Sequence, residues 1–293
     1  MPDLVTPAFK AASGLARAVP GPVAGITARN LGRLAARSDL DRRRLVARNL
    51  QRADPGLQGL ALRRAVRQTF ESYARYWVES FRLPSMSAAQ LDAGFTTEGY
   101  EHIDAALAKG TGGIMTLPHL GGWEWAAFWL AQVKQIPVTA VVEKLEPEAL
   151  FEWFVELRQS LGMTVVPLGP DAGAACTKAL HENHLLALLC DRDIAGTGVE
   201  VEFFGERTTL PGGPAVLALR TGAPILPTAI YFDGPIRHAV VRPPLDTERT
   251  GKLRDDVQRI TQALAHSLEE LIRAAPEQWH LLQPNWPSDR RLA

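Results

Sequence analysis

The residues of this chain best suited to chemistry are His119 and Glu124, five positions apart in the segment TLPHLGGWE. The apolar run from Gly113 to Leu117 predicts a buried strand that ends just before the histidine. A histidine beside a carboxylate is an arrangement for general-base catalysis, because the acid fixes the imidazole tautomer and stabilises the imidazolium that forms after proton abstraction. The spacing therefore predicts a catalytic base at the end of a strand.

Two glycines, Gly121 and Gly122, lie between the histidine and the acid. Without side chains they would let the backbone approach a substrate closely. Amides at the start of the helix that follows could bind anionic atoms. Both glycines are therefore candidate substrate-binding residues.

Several catalytic motifs are missing from the sequence. It has no Gly-x-Ser-x-Gly nucleophile elbow, no His-Glu-x-x-His zinc motif, no cysteine pair and no Gly-x-x-x-x-Gly-Lys phosphate loop. A histidine with no nucleophile of its own suits the activation of a hydroxyl group carried by the substrate. We expect neither a metal nor a cofactor.

The hydrophobic pattern changes near residue 92. Residues 8–92 carry helical spacing with breaks at 20–22 and 54–56. Beyond them, short apolar runs alternate with helical stretches, which predicts an α/β fold: a mostly parallel central sheet flanked by helices, with a helical N-terminal region. Such sheets hold their sites at the carboxyl ends of the strands. The expected strands are 113–117, 138–142, 165–168, 184–190, 225–231 and 239–241, and the expected helices of this part lie near 122–133, 147–161, 212–221 and 251–274.

Charge is spread unevenly, although the net charge is zero. Residues 10–67 hold 13 Lys or Arg and only three acids. This asymmetry indicates either a solvated basic surface or a polyanionic partner, nucleic acid or an anionic membrane. Nucleic acid is disfavoured, because few aromatic residues are interleaved with the charges. We therefore expect two regions, a basic membrane-docking region of helices at 1–92 and an α/β core forming one continuous unit at 93–293.

The location of the protein is predicted from what the sequence lacks. No apolar run reaches 18 residues, and the N-terminus has no signal-peptide pattern. Cys176 and Cys190 make no disulfide framework. We expect a peripheral protein on the cytoplasmic face of the cell membrane.

The His-x4-Glu motif resembles the His-x4-Asp/Glu signature of bacterial glycolipid acyltransferases, the family that includes the lipid A lauroyl-type enzymes. Further blocks in the same order are similar to that family. The ending WHLLQPNW, from Trp279 to Trp286, is similar to that of the actinobacterial phosphatidylinositol mannoside acyltransferases, whereas lipid A members tend to end in a Trp-x-His-Arg-Arg type. The other similar blocks span Arg75–Pro84, Arg158–Gly162 and Asp191–Gly205.

The resemblance implies transfer of a fatty acyl chain from acyl-CoA, a co-substrate, to a mannose hydroxyl of a phosphatidylinositol mannoside. It implies that His119 is the base and that a carboxylate after the strand 184–190, here Asp191, completes a relay with it. Glu124, the acid of the motif, stays open as the alternative partner of His119. The polar head-group side would be lined by Glu143, Arg158 and Asp193, together with the two glycines.

Other functions stay open at this point. One is a lipid A-type acyltransferase or another enzyme that acylates a glycolipid or lysophospholipid. A glycerophosphate-type enzyme usually carries an Asn-His start and a Pro-Glu-Gly-Thr block, and the sequence has neither. A different class is a peripheral membrane protein that binds lipid without catalysis.

Overall fold

The computed structural model describes residue 3 and residues 5–291, and its N-terminal part is helical. The helix break expected at 20–22 lies at residues 19–20, because the second helix begins at Gly21, and the break expected at 54–56 lies within residues 54–58. Asp39 caps the third helix by accepting a hydrogen bond from the amide of Arg42 at 2.9 Å. The first four helices are α1 (Val5–Ala18), α2 (Gly21–Ser38), α3 (Leu40–Ala53) and α4 (Gly59–Arg82).

Helix α2 packs on α4 through small residues. Its buried positions recur every four residues, which places them on one face of the helix: Ala24, Ala28, Gly32 and Ala36. At Gly32 the two helices approach so closely that a Cβ atom would lie 2.6 Å from the Cα of Glu71. The large aliphatic side chains of α2 consequently lie on its exposed face.

The second part of the chain alternates strands and helices, as the pattern of apolar runs predicts. A short helix precedes the first strand, and a long helix follows the last. The elements are α5 (Ala88–Ala93), β1 (Phe95–Glu98), α6 (Glu101–Ala108), β2 (Gly113–Leu117), α7 (Trp123–Gln132), β3 (Val138–Val142), α8 (Glu148–Gln159), β4 (Met163–Pro167), α9 (Ala172–His181), β5 (Leu185–Leu189), β6 (Val199–Phe203), β7 (Glu206–Leu210), α10 (Gly213–Thr221), β8 (Ile225–Asp233), β9 (Ile236–Val241) and α11 (Leu253–Ala274).

Seven of these strands form one sheet in the order β1-β9-β8-β2-β5-β3-β4. Its strand pairings are parallel except for β8 with β9. Strand β2 is buried on both faces: Met115 belongs to the cluster of Phe128 on α7, and Ile114 to the cluster of Ile260 on α11. The predicted fold class is confirmed.

Two features differ from the strands expected from sequence. Strand β1 was not expected, since its residues FTTE contain a single apolar side chain and only Phe95 is buried. Strands β6 and β7 form a separate antiparallel hairpin that packs on α11. Glu200 and Glu202 of β6 are exposed and alternate with the buried residues Val201 and Phe203.

The helical region touches the α/β part through both polar and apolar contacts. Asn49 of α3 donates to the carbonyl oxygen of Leu281 at 2.9 Å, and Arg52 pairs with the buried Asp289 at 2.8 Å. The division into regions at residue 92 stays a prediction. Among the described residues, no helix combines the length and apolar character that crossing a bilayer requires.

Candidate active site

Two neighbouring strands bring His119 and Asp191 together. Strands β2 and β5 pair in parallel with Leu117 aligned to Leu189, and His119 and Asp191 each follow two positions later. The amide of Cys190 donates to the carbonyl oxygen of Leu117 at 2.8 Å and continues the pairing past the strand ends. The two chains therefore leave the sheet side by side and deliver the histidine and the acid to the same point.

The imidazole of His119 is held at one nitrogen. Its Nδ1 lies 2.6 Å from Oδ1 of Asp191, and its backbone amide donates to Oδ2 of Asp191 at 3.1 Å. Within the described part of the chain, Nε2 has no hydrogen-bond partner, and the side chain is 21% exposed. A proton on Nδ1 leaves the Nε2 lone pair free to accept a proton. This is the geometry that a general base requires.

Asp191 is completely buried, and its polar atoms contact other residues. Oδ2 accepts a hydrogen bond from the indole N–H of Trp279 at 2.7 Å, and the backbone oxygen accepts one from the side-chain Nδ2 of Asn285 at 3.0 Å. Burial opposes ionisation of the carboxyl, but His119 and then the Trp279 N–H outweigh burial and hold the pKa of Asp191 below its usual range. The acid is therefore a carboxylate, able to stabilise an imidazolium.

Glu124 contacts a different residue. It lies buried in the first turn of α7, and the Arg158 guanidinium at the end of α8 binds both of its oxygens, with Nε 3.3 Å from Oε2. The hydroxyl of Tyr76 donates to Oε1 at 3.4 Å. Burial and then the Glu124 charge raise the pKa of Tyr76, so the phenol keeps its proton. Of the two acids left open by the sequence, the structure pairs Asp191 with the histidine.

Trp123 lies between the two groups of polar residues. Its ring centre is 5.6 Å from that of His119, in a T-shaped arrangement, and 4.0 Å from that of Tyr76, which stacks on it. Tyr76 belongs to α4, so the helical region supplies a side chain close to the histidine. The tryptophan is half-buried, and it forms an aromatic wall beside the base.

Glu143 stands at the rim of the site. It follows β3 by one residue, and its Oε2 lies 2.8 Å from Nη2 of Arg192, the residue after Asp191. Glu143 is 43% exposed, whereas Arg192 is largely buried. The expected contact of Glu143 with a polar head group stays a prediction, and its position at a strand end keeps it available for one.

Asp193 stabilises the loop between β5 and β6 through hydrogen bonds. One oxygen accepts the amide of Gly196 at 3.0 Å, and the other accepts the amide of Gly198 and the hydroxyl of Thr209, both at 2.8 Å. These bonds hold the loop after β5 against the β6–β7 hairpin. The structure therefore gives Asp193 a structural role, and its contact with substrate stays a prediction.

The amides of the two glycines themselves are occupied, and the expected contact of the glycines with substrate stays a prediction. The amide of Gly121 donates to the carbonyl of Gln278 at 3.0 Å, and that of Gly122 to the carbonyl of Ile230 at 3.2 Å. Gly121 has φ +59°, and a Cβ atom there would overlap the Ile230 oxygen. The backbone of strand β8 thus excludes a side chain at Gly121, whereas a Cβ atom at Gly122 would lie 3.0 Å from the ring of Phe232, a residue of the same strand.

Three further residues lie at this site and were not predicted from the sequence: Trp279, Tyr76 and His280. His280 is buried, its Nε2 contacts the hydroxyl of Ser72 at 2.8 Å, and its amide donates to the carbonyl of His119 at 2.6 Å. Burial and then the nearby His119 lower the pKa of His280 to about 3, so its ring is neutral. All three lie in blocks that served only to identify a family. Their contacts join residues far apart in sequence, which no local pattern reveals.

The sequence is similar to one known protein family and to several named proteins. A model of the family described as bacterial lipid A biosynthesis acyltransferase matches residues 8–288. A phosphatidylinositol mannoside acyltransferase of Mycobacterium tuberculosis (strain CDC 1551 / Oshkosh) is 44% identical over 229 residues, 75% of this chain and 70% of that protein. Its counterpart in strain ATCC 25618 / H37Rv is 43% identical over 228 residues, again 75% and 70%.

A third relative has the same name and comes from Mycolicibacterium smegmatis (strain ATCC 700084 / mc(2)155). It is 41% identical over 227 residues, which are 76% of this chain and 73% of that protein. These matches confirm the resemblance inferred from the motifs. The chain belongs to the bacterial lipid A biosynthesis acyltransferase family.

Proposed function

We propose that the protein transfers a fatty acyl chain from acyl-CoA to a mannose hydroxyl of a phosphatidylinositol mannoside, with His119 as the base. The observation that carries the proposal is the 2.6 Å contact of His119 Nδ1 with the buried Asp191 carboxylate, which leaves Nε2 free at the carboxyl end of the sheet. The acceptor follows from the names of the relatives that are 41–44% identical to the chain.

The proposed reaction is a direct transfer between two bound substrates. Nε2 of His119 accepts the proton of the acceptor hydroxyl while the hydroxyl oxygen attacks the thioester carbonyl. The tetrahedral intermediate collapses with cleavage of the C–S bond, and the imidazolium returns its proton to the departing thiolate. The Asp191 carboxylate stabilises the imidazolium between these two steps. The products are an ester and free coenzyme A.

Selection of one sugar hydroxyl needs polar groups that bind its neighbours. The Glu143–Arg192 pair at the rim offers a half-exposed carboxylate, and the Glu124–Arg158 pair offers a guanidinium beside the aromatic wall. A site built to hydrogen-bond a hydroxyl can reject an analogue that lacks it by about 10⁴-fold, because buried polar groups are left unpaired. We assign both pairs to recognition of the mannosylated head group.

The helical region supports docking on a membrane. On α2, small residues are buried against α4, while four large aliphatic side chains are 49–62% exposed: Val23, Ile26, Leu31 and Leu34. Arg29, Arg33 and Arg37 of the same helix are also exposed. An exposed apolar stripe flanked by arginines is typical of helices that lie in the interface of an anionic bilayer. We assign the protein to the cytoplasmic face of the cell membrane.

A transfer assay with a panel of acceptors tests the function. Purified protein receives radiolabelled acyl-CoA with mannosylated phosphatidylinositol, plain phosphatidylinositol, lysophosphatidic acid or a lipid A precursor. We expect label only in the mannosylated lipid. Preferential labelling of the lipid A precursor or of lysophosphatidic acid would overturn the acceptor and leave the role of His119 intact. Binding of lipid with no transfer from any donor would overturn the enzymatic function.

A further inference from the structure

The segment from Gln278 to Trp286 runs along the loop that carries His119. The carbonyl of Gln278 accepts the amide of Gly121, Trp279 forms a β-bridge with Leu120, and the amide of His280 donates to the carbonyl of His119. This segment therefore supports the backbone of the base, in addition to the support given by strand β5. It comes from the end of the chain, about 160 residues after the base.

One side chain of this segment reaches the acid itself. The indole N–H of Trp279 donates to Oδ2 of Asp191 at 2.7 Å, while Oδ1 of the same carboxylate binds His119. Both residues are buried, Asp191 completely and Trp279 to all but 3%. The other donor to Oδ2 is the amide of His119 at 3.1 Å. The hydrogen bond from the indole is thus the shorter of the two bonds to Oδ2, which fix the rotation of the carboxylate.

We infer that Trp279 is a positioning residue of the acyl transfer, which holds the Asp191 carboxylate in the orientation that binds His119. The inference rests on the proposed function. A carboxylate without solvent must take its hydrogen bonds from the protein, because an unsatisfied charged oxygen in the interior is costly. Without the indole N–H, Oδ2 keeps only the longer bond, and rotation of the carboxylate away from the imidazole becomes easier.

The chain offers a matched control in Trp286. Its side chain is as deeply buried, it belongs to the same hydrophobic cluster, and its indole N–H donates to the carbonyl of Phe203 at 3.1 Å. Trp286→Phe removes the same atoms as Trp279→Phe but no bond to Asp191. A loss caused only by poorer packing would therefore appear in both variants.

The first experiment compares the two variants in the transfer assay. We expect Trp279→Phe to lower kcat by about 10–100-fold, as for other hydrogen bonds to charged groups, while KM for the lipid acceptor changes little. The pH profile of its unfolding should also move: the loss of stability through protonation of Asp191 should begin at higher pH, because Asp191 takes up a proton more easily without the indole N–H. Trp286→Phe should keep the parent kcat and pH profile. Equal losses in the two folded variants would overturn the inference.

The second experiment reads the contact without any acyl transfer. The indole N–H signals of Trp279 and Trp286 are assigned in ¹H–¹⁵N spectra by their disappearance in the two Phe variants. In Asp191→Asn we expect the Trp279 proton to move upfield, because its acceptor loses its charge, and the Trp286 signal to stay in place. An unmoved Trp279 signal would overturn the inference. A moved signal in a protein that transfers no acyl chain would overturn the proposed function alone.

Discussion

The carboxylate of Glu124 is bound by the guanidinium of Arg158 and makes no contact with His119. Five positions separate Glu124 from the histidine in sequence, whereas 72 separate Asp191 from it, and the more distant acid is the partner. Glu124 belongs to the first turn of α7, whose direction carries its side chain toward α8. The Glu124–Arg158 pair and the His119–Asp191 pair therefore have separate roles, and variants can test each one.

Replacement of His119 by alanine should abolish transfer and leave the protein folded, since the side chain lies in a loop and adds little to the core. Loss of a general base typically costs about 10²–10⁴-fold in rate. The measurements are kcat with the mannosylated acceptor and the thermal unfolding midpoint. His181→Ala, at an exposed position of α9, serves as the control and should keep full activity. Normal turnover in His119→Ala would exclude this histidine as the base.

Asp191 should act as one unit with His119. Asp191→Asn keeps the shape of the side chain but removes its charge, and we expect kcat to fall by about 10²–10⁴-fold. The double variant with His119→Ala should lose little more than either single variant, because groups that act together are not additive. Single and double variants are compared by kcat. Losses that multiply would show that Asp191 acts on the substrate independently.

The stability of the protein should depend on pH through Asp191. In the folded state its pKa lies below 3.8, the value of an unperturbed Asp, because His119 and the Trp279 N–H outweigh burial. Its ionisation therefore stabilises the fold fully at pH values above 3.8. This stabilisation disappears as the pH falls through the pKa that Asp191 has in the folded state.

Urea unfolding of the parent and of Asp191→Asn, from about pH 7 down to about pH 3, measures this contribution. The difference in unfolding free energy between the two proteins should shrink as the pH falls. A difference that stays constant over this range would show that the carboxylate charge contributes nothing to stability.

The sequence could predict where His119 and Asp191 lie but not that they meet. Each follows an apolar run, and runs of this kind predict strands whose carboxyl ends share one edge of a sheet. Their contact depends on β2 and β5 being neighbours, and the order β2-β5-β3 does not follow the order of the chain. The resemblance to a family supplied the pairing that periodicity could not.

The contacts of Trp279 and Tyr76 were even less predictable from the sequence. The partner of Trp279 is 88 positions away and the partner of Tyr76 is 48 positions away, so neither contact leaves a local pattern. The same limit applies to the close packing at Gly121, whose contact with substrate stays a prediction. Strand β8 approaches the backbone there, and this proximity appears only when the sheet is assembled.

The Glu124–Arg158 pair should contribute strongly to stability. Both side chains are largely buried, so Arg158→Met leaves an unpaired carboxylate in the interior. Breaking a buried pair in this way typically costs about 3–5 kcal/mol, and Arg158→Met with Glu124→Gln should recover part of the loss. Arg192→Met is the control. Its partner Glu143 is half-exposed, so this substitution should lower the free energy of unfolding by about 1 kcal/mol or less. Urea unfolding measures all four proteins, and equal losses for the two Arg variants would contradict the prediction.

The last prediction concerns the membrane-facing surface of α2. Sedimentation with vesicles should require anionic lipid and weaken as salt is added, because each basic residue near such a surface contributes at most about 1 kcal/mol and several must act together. Leu31→Ser with Leu34→Ser should weaken binding further, since both side chains are more than half exposed on the stripe that would enter the bilayer. Leu60→Ser, at a position that is even more exposed but lies at the start of α4, should bind as the parent does. Equal binding to neutral and anionic vesicles would show that the basic charge of the helical region has no part in docking.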